Sequence, residues 1–503
     1  MNARLKQQRR YYPAAALAAA LLAACGGGGG SNAASTTAGR IEHLPGGDAT
    51  TPYINSTAYS KPSRNMTDGQ RIIAFNNGNH FFENPWVEGS ASTEARDGLG
   101  PYFNNRACQN CHVNDGRGHA AATAVDGISQ GADFSSLLIR VSRSLISHED
   151  KALIDASLLA KVPDSTAGGQ LQHRAAAGVQ NEAELAVSYT PVSVAFADGT
   201  EVILRQPVWH LQSNIGDFDD DSVFSARVAP PMIGLGLLAL IDENTIYLQQ
   251  DINDSNNDGI SGKANIVYSQ QLGGTTLGRF GWKAGQPNLI EQSAGAFHED
   301  MGLTSRFHSE ENCYNQQADC LAAPNGNGDD NHEVTDSILN LVNFYTHHLA
   351  VPARRNAYDS EVQQGKQLFT DIGCAACHTP RHTTIASTEH PELSQQVIFP
   401  YTDLLLHDMG EALADFTLDN QPADADIRVE YQATAREWRT APLWGLGLAQ
   451  TVDPNASFLH DGRARTIMEA VLWHGGEAQP ARDRVLQLDA GQRATLLAFL
   501  QDL

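Results

Sequence analysis

Two short runs constrain this chain more than anything else in it: Cys108-Gln-Asn-Cys111-His112 and Cys374-Ala-Ala-Cys377-His378. Each has the CxxCH form that attaches a c-type haem. The two thiols add across the vinyl groups of the ring, and the histidine that follows offers its imidazole to the iron. One tight turn must present both sulfurs to one edge of a flat ring and the imidazole to one face, which fixes the spacing. Two such runs predict two covalently bound haem c groups and require two pockets able to enclose them.

The start of the chain reads as an export signal. Arg4, Lys6, Arg9 and Arg10 form a positive segment, and an Ala/Leu run over residues 14–22 follows. That run has the length of a signal-peptide core and is too short to span a bilayer. It ends in Leu22-Ala23-Ala24-Cys25, which resembles a bacterial lipobox. By that resemblance residues 1–25 are a lipoprotein signal and Cys25 becomes the lipidated first residue; an ordinary signal peptide containing a cysteine is the alternative. Residues 26–64, which open on Gly26 to Ser31, read as a flexible tether. The expected location is the periplasmic side of the cell envelope, held to a membrane by lipid. Gly26 stands where an inner-membrane retention Asp would be, which favours the outer membrane.

Of seven cysteines, one goes to lipid and four to haem. Cys313 and Cys320 remain, and outside the cytoplasm a disulfide between them is expected, with two free thiols as the alternative. No pair is left for a catalytic dithiol. A hydrophobic content of 41% supports real cores, and 503 residues allow two or three domains. The net charge of −24 argues against nucleic acid and against electrostatic binding to anionic lipid. It suits a basic electron-carrier partner, with a balance that only keeps the protein soluble as the alternative.

The chain repeats itself. Arg227-Val-Ala-Pro-Pro-Met-Ile-Gly-Leu-Gly-Leu237 follows the first CxxCH, and Arg439-Thr-Ala-Pro-Leu-Trp-Gly-Leu-Gly-Leu448 follows the second. Phe280-Gly-Trp282 precedes Leu289-Ile-Glu-Gln292, as Phe458-Leu-His460 precedes Ile467-Met-Glu-Ala470. Each half closes on an amphipathic helix, predicted over 337–349 and 491–503. The expected fold is therefore mainly α: two cytochrome c-like haem domains from an internal duplication, at 65–350 and 351–503. The first carries a partly β insert, with strands expected over 192–196 and 200–204.

Superposing Phe280 on Phe458 places Gln292 on Ala470 and Ala296 on His474. His474, in Trp473-His474-Gly475-Gly476, is the expected distal ligand of the second haem, where the alternative is a histidine that only packs nearby or binds a propionate. An alanine cannot bind iron, so the first haem is expected to keep an open position. A six-coordinate haem suits electron transfer, and an open one suits binding a small oxygen ligand.

Five runs carry a family resemblance: Asp97-Gly-Leu-Gly-Pro101, Gly278-Arg-Phe-Gly-Trp-Lys-Ala284, Tyr401-Thr-Asp-Leu-Leu-Leu-His-Asp-Met-Gly410, Phe458-Leu-His-Asp-Gly-Arg463 and Leu472-Trp-His-Gly-Gly-Glu477. Over residues 65–503 the chain resembles bacterial di-haem cytochrome c peroxidases and MauG-type enzymes. It is most similar to their broad relatives, the di-haem oxidoreductases often labelled thiol oxidoreductase. The resemblance implies that Trp282 lies between the haems and that Gln292 orients peroxide. It also implies that an acidic residue before a methionine lines the peroxide site. Asp300 before Met301 matches, with Glu299 beside it, although two residues are missing from this stretch. Ala296 replaces the family's proline, and His474 replaces a methionine, which should lower the second haem's potential. The implied chemistry is peroxide bound at the open iron held by His112, a proton moved by the nearby carboxylate, and an electron supplied from the His378 haem through Trp282.

Asp254-Ser-Asn256-Asn-Asp258-Gly-Ile260 has oxygen ligands where a calcium loop has its first three, but Asn265 stands at position twelve instead of glutamate. A calcium site and a polar turn both remain open there. His80, His119 and Met301 are spare candidate ligands for the first haem, and His407 and His460 are candidates for propionate contacts. Expected partners are a small oxidant such as peroxide, a periplasmic electron donor (a small cytochrome or a cupredoxin) and the membrane through the lipid. Two other functions compete with a peroxide-using enzyme: a di-haem electron carrier and, less well supported by the cysteine count, a thiol oxidoreductase.

Overall fold

The computed structural model describes residues 42–120, 129–130, 134–314, 317–327 and 331–503. The signal segment and Cys25 lie outside the described residues. Among those residues no helix is long and apolar enough to cross a membrane.

The longer helices are α1 (Gly69–Glu83), α2 (Leu289–Met301), α3 (Asp336–His348), α4 (Ser360–Ile372), α5 (Ile467–Trp473) and α6 (Ala490–Asp502). Each begins on a residue whose side-chain oxygen accepts from the first free backbone N–H groups: Asp68, Asn288, Thr335, Asp359, Thr466 and Asp489 in turn. The two closing helices expected from periodicity, α3 and α6, lie within one residue of their predicted bounds.

The two halves share several packing details. In the first half α1 crosses α3 at Gly78, where an added Cβ would lie 2.2 Å from the Leu341 carbonyl oxygen and 2.7 Å from Tyr345 Cβ. In the second half α4 crosses α6 at Gly365, and an added Cβ would lie 2.2 Å from the Thr495 carbonyl oxygen and 2.7 Å from Phe499 Cβ. Both crossings require the absence of a side chain. The loops repeat as well. Phe280 bridges to Gln286 and Phe458 to Ala464, and the residues between them include Gly281 (φ 79°) and Leu459 (φ 69°) in equivalent left-handed turns. Asn288 and Thr466 then cap α2 and α5, each accepting from the N–H of a glutamate at the third position, Glu291 and Glu469.

The fold is not mainly α. Helix accounts for 32% of the chain and strand for 20%, spread over several small sheets. The insert builds β1 (Ser129–Gln130), β2 (Leu137–Arg143), β3 (Gln170–Leu171), β4 (Ala183–Ala195), β5 (Glu201–Ser213) and β6 (Ser222–Val228). The expected strands at 192–196 and 200–204 are only the tip of a hairpin of two 13-residue strands, β4 and β5, paired from Ala183↔Ser213 to Ala195↔Glu201. All seven residues of β6 are buried. A strand covered on both faces loses the in–out alternation by which a strand is read from sequence, and several of the remaining strands are only two or three residues long.

The insert also joins the halves. The antiparallel order β7-β6-β2-β3 includes β7 (Phe416–Thr417) from the second half. At the hairpin tip, Val194, Phe196 and Leu204 enter the core formed by Phe369, Leu496 and Phe499, and Arg493 donates to Asp198 at 2.8 Å. Cys313 and Cys320 form a disulfide with Cα atoms 5.8 Å apart, as expected.

Candidate haem sites and the pocket beside them

Each CxxCH run closes a short turn. Residues Cys108–Cys111 form one helical turn, and α4 ends on Gly373 in the left-handed region (φ 99°) immediately before Cys374. None of the four CxxCH cysteines is in a disulfide. Burial pushes the Cys374 thiol up to about 12, and burial with the nearby Asp300 charge does the same for Cys111.

The histidines share one arrangement. His112 Nδ1–H donates to the Pro230 carbonyl at 2.8 Å, His378 Nδ1–H to Tyr401 at 3.0 Å, and His474 Nδ1–H to Ala470 at 2.7 Å. Since a carbonyl can only accept, the proton sits on Nδ1 in each neutral ring, and Nε2 keeps its lone pair. Burial lowers His112 and His378 to about 4 and also lowers His474, so each ring is neutral at pH 7. His378 and His474 line a single cavity of about 390 Å³ together with Cys374 and Cys377. They lie close enough for one ring's charge to disfavour the other's. Position 296, the repeat counterpart of His474, is inside α2, which runs on to Met301, whereas α5 stops at Trp473 and leaves His474 as its cap.

A family model described as "di-haem oxidoreductase, putative peroxidase" matches residues 42–503. The chain belongs to that di-haem oxidoreductase family. A search of curated proteins gave no match.

In this di-haem oxidoreductase the large cavity also reaches Trp282, Trp438 and His460. Trp282 is 8% exposed and donates its indole N–H to the Val228 carbonyl at 2.7 Å. Two buried guanidiniums line the same cavity, Arg117 and Arg439. Burial lowers both to about 10. Their hydrogen bonds go to backbone carbonyls, Leu459 for Arg117, Gly281 and Thr440 for Arg439. Neither forms an ion pair among the described residues, and Arg117 Nε has no partner there. Two unpaired buried cations at the wall of a ring-sized cavity fit a dianionic cofactor such as haem with its propionates. Neither arginine was singled out for such a role from sequence. Arg439 stood only as the first residue of a repeated word, and Arg117 follows the first CxxCH by five positions with no pattern of its own.

His407 is more deeply engaged than a propionate contact. Its Nε2 lies 2.9 Å from Asp403 and its Nδ1 2.6 Å from Glu477, with Cys377 Sγ at 3.6 Å. Burial opposes its charge, but Asp403, Cys377 and Glu477 outweigh burial and raise its pKa well above 6.5. Glu477 also accepts from Ser261 N–H and hydroxyl, so the His474-to-Glu477 loop is pinned from two sides. His460 stacks on Trp438 at 3.6 Å, and Lys283 Nζ lies 3.6 Å from the centre of the Trp438 ring.

On the first-half side, α2 carries Gln292, Ala296, Glu299 and Asp300. The Gln292 amide oxygen lies 3.7 Å from where a Gly281 Cβ would stand, next to Trp282. Asp300 accepts from Gln170 Nε2 at 2.9 Å and is 3.9 Å from Arg140. Its charge is felt by both Cys108 and Cys111, and burial raises its pKa. Glu299 lies 3.9 Å from Arg140 and 3.7 Å from His298. Burial works against its charge, but His298, Arg140 and Lys161 hold its carboxyl well below the usual range. The two neighbouring carboxyls thus differ in direction, and Asp300 is the one shifted towards holding a proton.

The spare first-half candidates are otherwise engaged. His80 pairs with Asn84 and His119 with the Ala120 carbonyl, while Met301 is buried in the core beside Phe297. In the Asp254 loop, Asp254 accepts from the N–H groups of Asp258 and Gly259, Asn256 from Asp258, and Asp258 from Ile260. The side-chain oxygens of this turn serve its own backbone, and Asn265 faces Lys283 and Glu430 instead.

Proposed function

We propose that this di-haem oxidoreductase carries two covalently attached haem c groups and reduces or uses hydrogen peroxide at the His112 site. The observation that carries the proposal is the asymmetry of the duplicate. His378 and His474 share one cavity with both Nε2 atoms free, whereas the counterpart of His474 is Ala296. Haems held at these positions supply electron storage at the two-histidine site and peroxide chemistry at the open one.

The chain's own residues have distinct tasks in this proposal. His112, His378 and His474 offer Nε2 to iron, each oriented by a backbone carbonyl. Arg117 and Arg439 face the propionates at the second site. Gln292 hydrogen-bonds and orients peroxide, and Asp300, with its raised pKa and its hydrogen bond from Gln170, moves a proton between the two peroxide oxygens. Trp282 lies between the two sites as the route for an electron. Glu299, held charged, keeps Arg140 in place beside Asp300. Calcium at the Asp254 loop would need its self-directed oxygens to turn outward and is left out of the proposed reaction.

Lipid attachment at Cys25, on the periplasmic side and at the outer membrane, completes the proposal on the strength of the sequence alone. The electron donor would be a small soluble cytochrome or cupredoxin, with a basic face favoured by the net charge of −24.

Electron paramagnetic resonance of the ferric holoprotein tests the proposal. One high-spin and one low-spin haem is the expected result. Two low-spin signals that persist on half-reduction would overturn it in favour of a di-haem electron carrier.

A further inference from the structure

A second cavity, of about 340 Å³, has His298 and Glu299 of α2 in its wall. The segment that follows α2 forms much of the rest, including His308, Glu310, Glu311 and Asn312, with Gln170 of β3 at its base. Its polar groups are unbalanced. Gln170 is 1% exposed and Asn312 9%, yet Gln170 Oε1 and Asn312 Oδ1 have no hydrogen-bond partner among the described residues. Both carboxylate oxygens of Glu311 are also buried without one. Buried acceptors left alone are costly, and native structures normally satisfy them.

The chemistry of these groups narrows the ligand. The unpaired oxygens are acceptors and no lysine or arginine lines the cavity; the one unpaired nitrogen in its wall among the described residues is His298 Nδ1, 3.7 Å from Glu299. Burial pushes the Glu311 carboxyl up to about 8, with Glu333 and Glu310 adding to it and His298 opposing it. A bare metal ion is a poor match. Among the described residues only Cys377, Asp403 and His407 bring three His, Cys, Asp or Glu ligand atoms within 4.8 Å of one another. The cavity is also many times the ~30 Å³ share of one water molecule. A larger cation with several N–H donors suits these acceptors.

We infer that this cavity binds a small organic ammonium ion, with Glu311, Gln170 and Asn312 accepting its N–H groups. The site backs onto α2 beside Asp300 and is independent of whether the haem side reduces peroxide.

Calorimetric titration of the holoprotein with butylammonium chloride tests it, with 1-butanol and magnesium chloride as separate titrants. Saturable 1:1 binding of butylammonium, with no binding of 1-butanol and weaker binding of Mg²⁺, is expected. Glu311→Gln should weaken butylammonium at least tenfold, since charge-assisted hydrogen bonds are lost, with the haem absorption spectrum unchanged. That carboxylate makes no hydrogen bond that folding would miss. Glu310→Lys, at the exposed rim, should weaken it as well by placing a cation at the mouth, and it serves if the first variant does not fold. Absence of saturable binding, equal binding of 1-butanol, tighter binding of Mg²⁺, or unchanged affinity in the variants would each overturn the inference. Because binding is read without turnover, a failure of peroxide reduction would leave it standing.

Discussion

Replacing His407 with leucine should cost about 3 kcal/mol of stability near pH 6 and loosen the loop that carries His474. The side chains of His407, Asp403 and Glu477 are 4%, 3% and 10% exposed, so solvent screens their interactions little. Removing the imidazolium leaves two carboxylates buried together, and breaking a buried pair in this way costs about 3–5 kcal/mol. Protonation of one carboxylate recovers part of that, at about 1.4 kcal/mol per pKa unit, which sets the net near the lower bound. The pH window follows from the directions of the shifts. His407 is raised above 6.5, so its contribution is full below about 6.5 and fades as pH rises through its folded pKa. Glu477 is lowered from 4.5, so its contribution is present above 4.5 and is lost as pH falls through its folded pKa. The difference between wild type and His407→Leu should thus be largest between those limits and shrink as pH falls through the folded pKa of Glu477. Urea denaturation at several pH values gives the free energies, and the high-spin fraction in the ferric spectrum reports release of the Glu477 anchor. A loss below about 1 kcal/mol at pH 6 would refute the reasoning, and so would a difference that grows on acidification.

The remaining expectations concern attachment, proton transfer and packing. Mass spectrometry of the mature protein should show two added haems; a single haem, from cells competent in haem attachment, would refute the di-haem proposal. Asp300→Asn should leave the haem spectra intact and slow the reaction with peroxide by roughly 10²–10⁴-fold in stopped flow. A wild-type rate in both Asp300→Asn and Glu299→Gln would show that the pocket on α2 is misassigned. Gly365→Ala, whose methyl would meet the Thr495 carbonyl oxygen at 2.2 Å, should lose about 1–3 kcal/mol in denaturant unfolding. Gly69→Ala, with nothing within 4 Å, should lose none.

Much of the site was legible in one dimension because its chemistry is local. A CxxCH turn holds thiols and imidazole within five residues, and its meaning does not depend on the rest of the chain. The repeat was legible for a similar reason: the two Phe-initiated turns and the caps at Asn288 and Thr466 have the same spacing, so aligning the words aligned the structures. The β content was not legible. The hairpin of β4 and β5 showed only its tip, and β6, buried on both faces, carries no alternation to read. The acid on α2 was narrowed to two neighbours by sequence, and burial then separated them by raising Asp300 and leaving Glu299 charged.

The sequence by itself determined which atoms are available: four thiols and two histidines in fixed turns, a histidine in one half where the other has alanine, and two cysteines left to pair. Tertiary structure decided which distant groups share a space. His474 lies nearly a hundred residues beyond His378, and Arg117 more than three hundred before Arg439, yet each pair lines the same cavity. His407 meets Glu477, seventy positions away, and the unpaired acceptors of Gln170 and Asn312 came to one cavity from separate segments. Such long-range placement arises from packing apolar faces, which is set by the sum of many weak contacts over the whole chain, and no short motif records it.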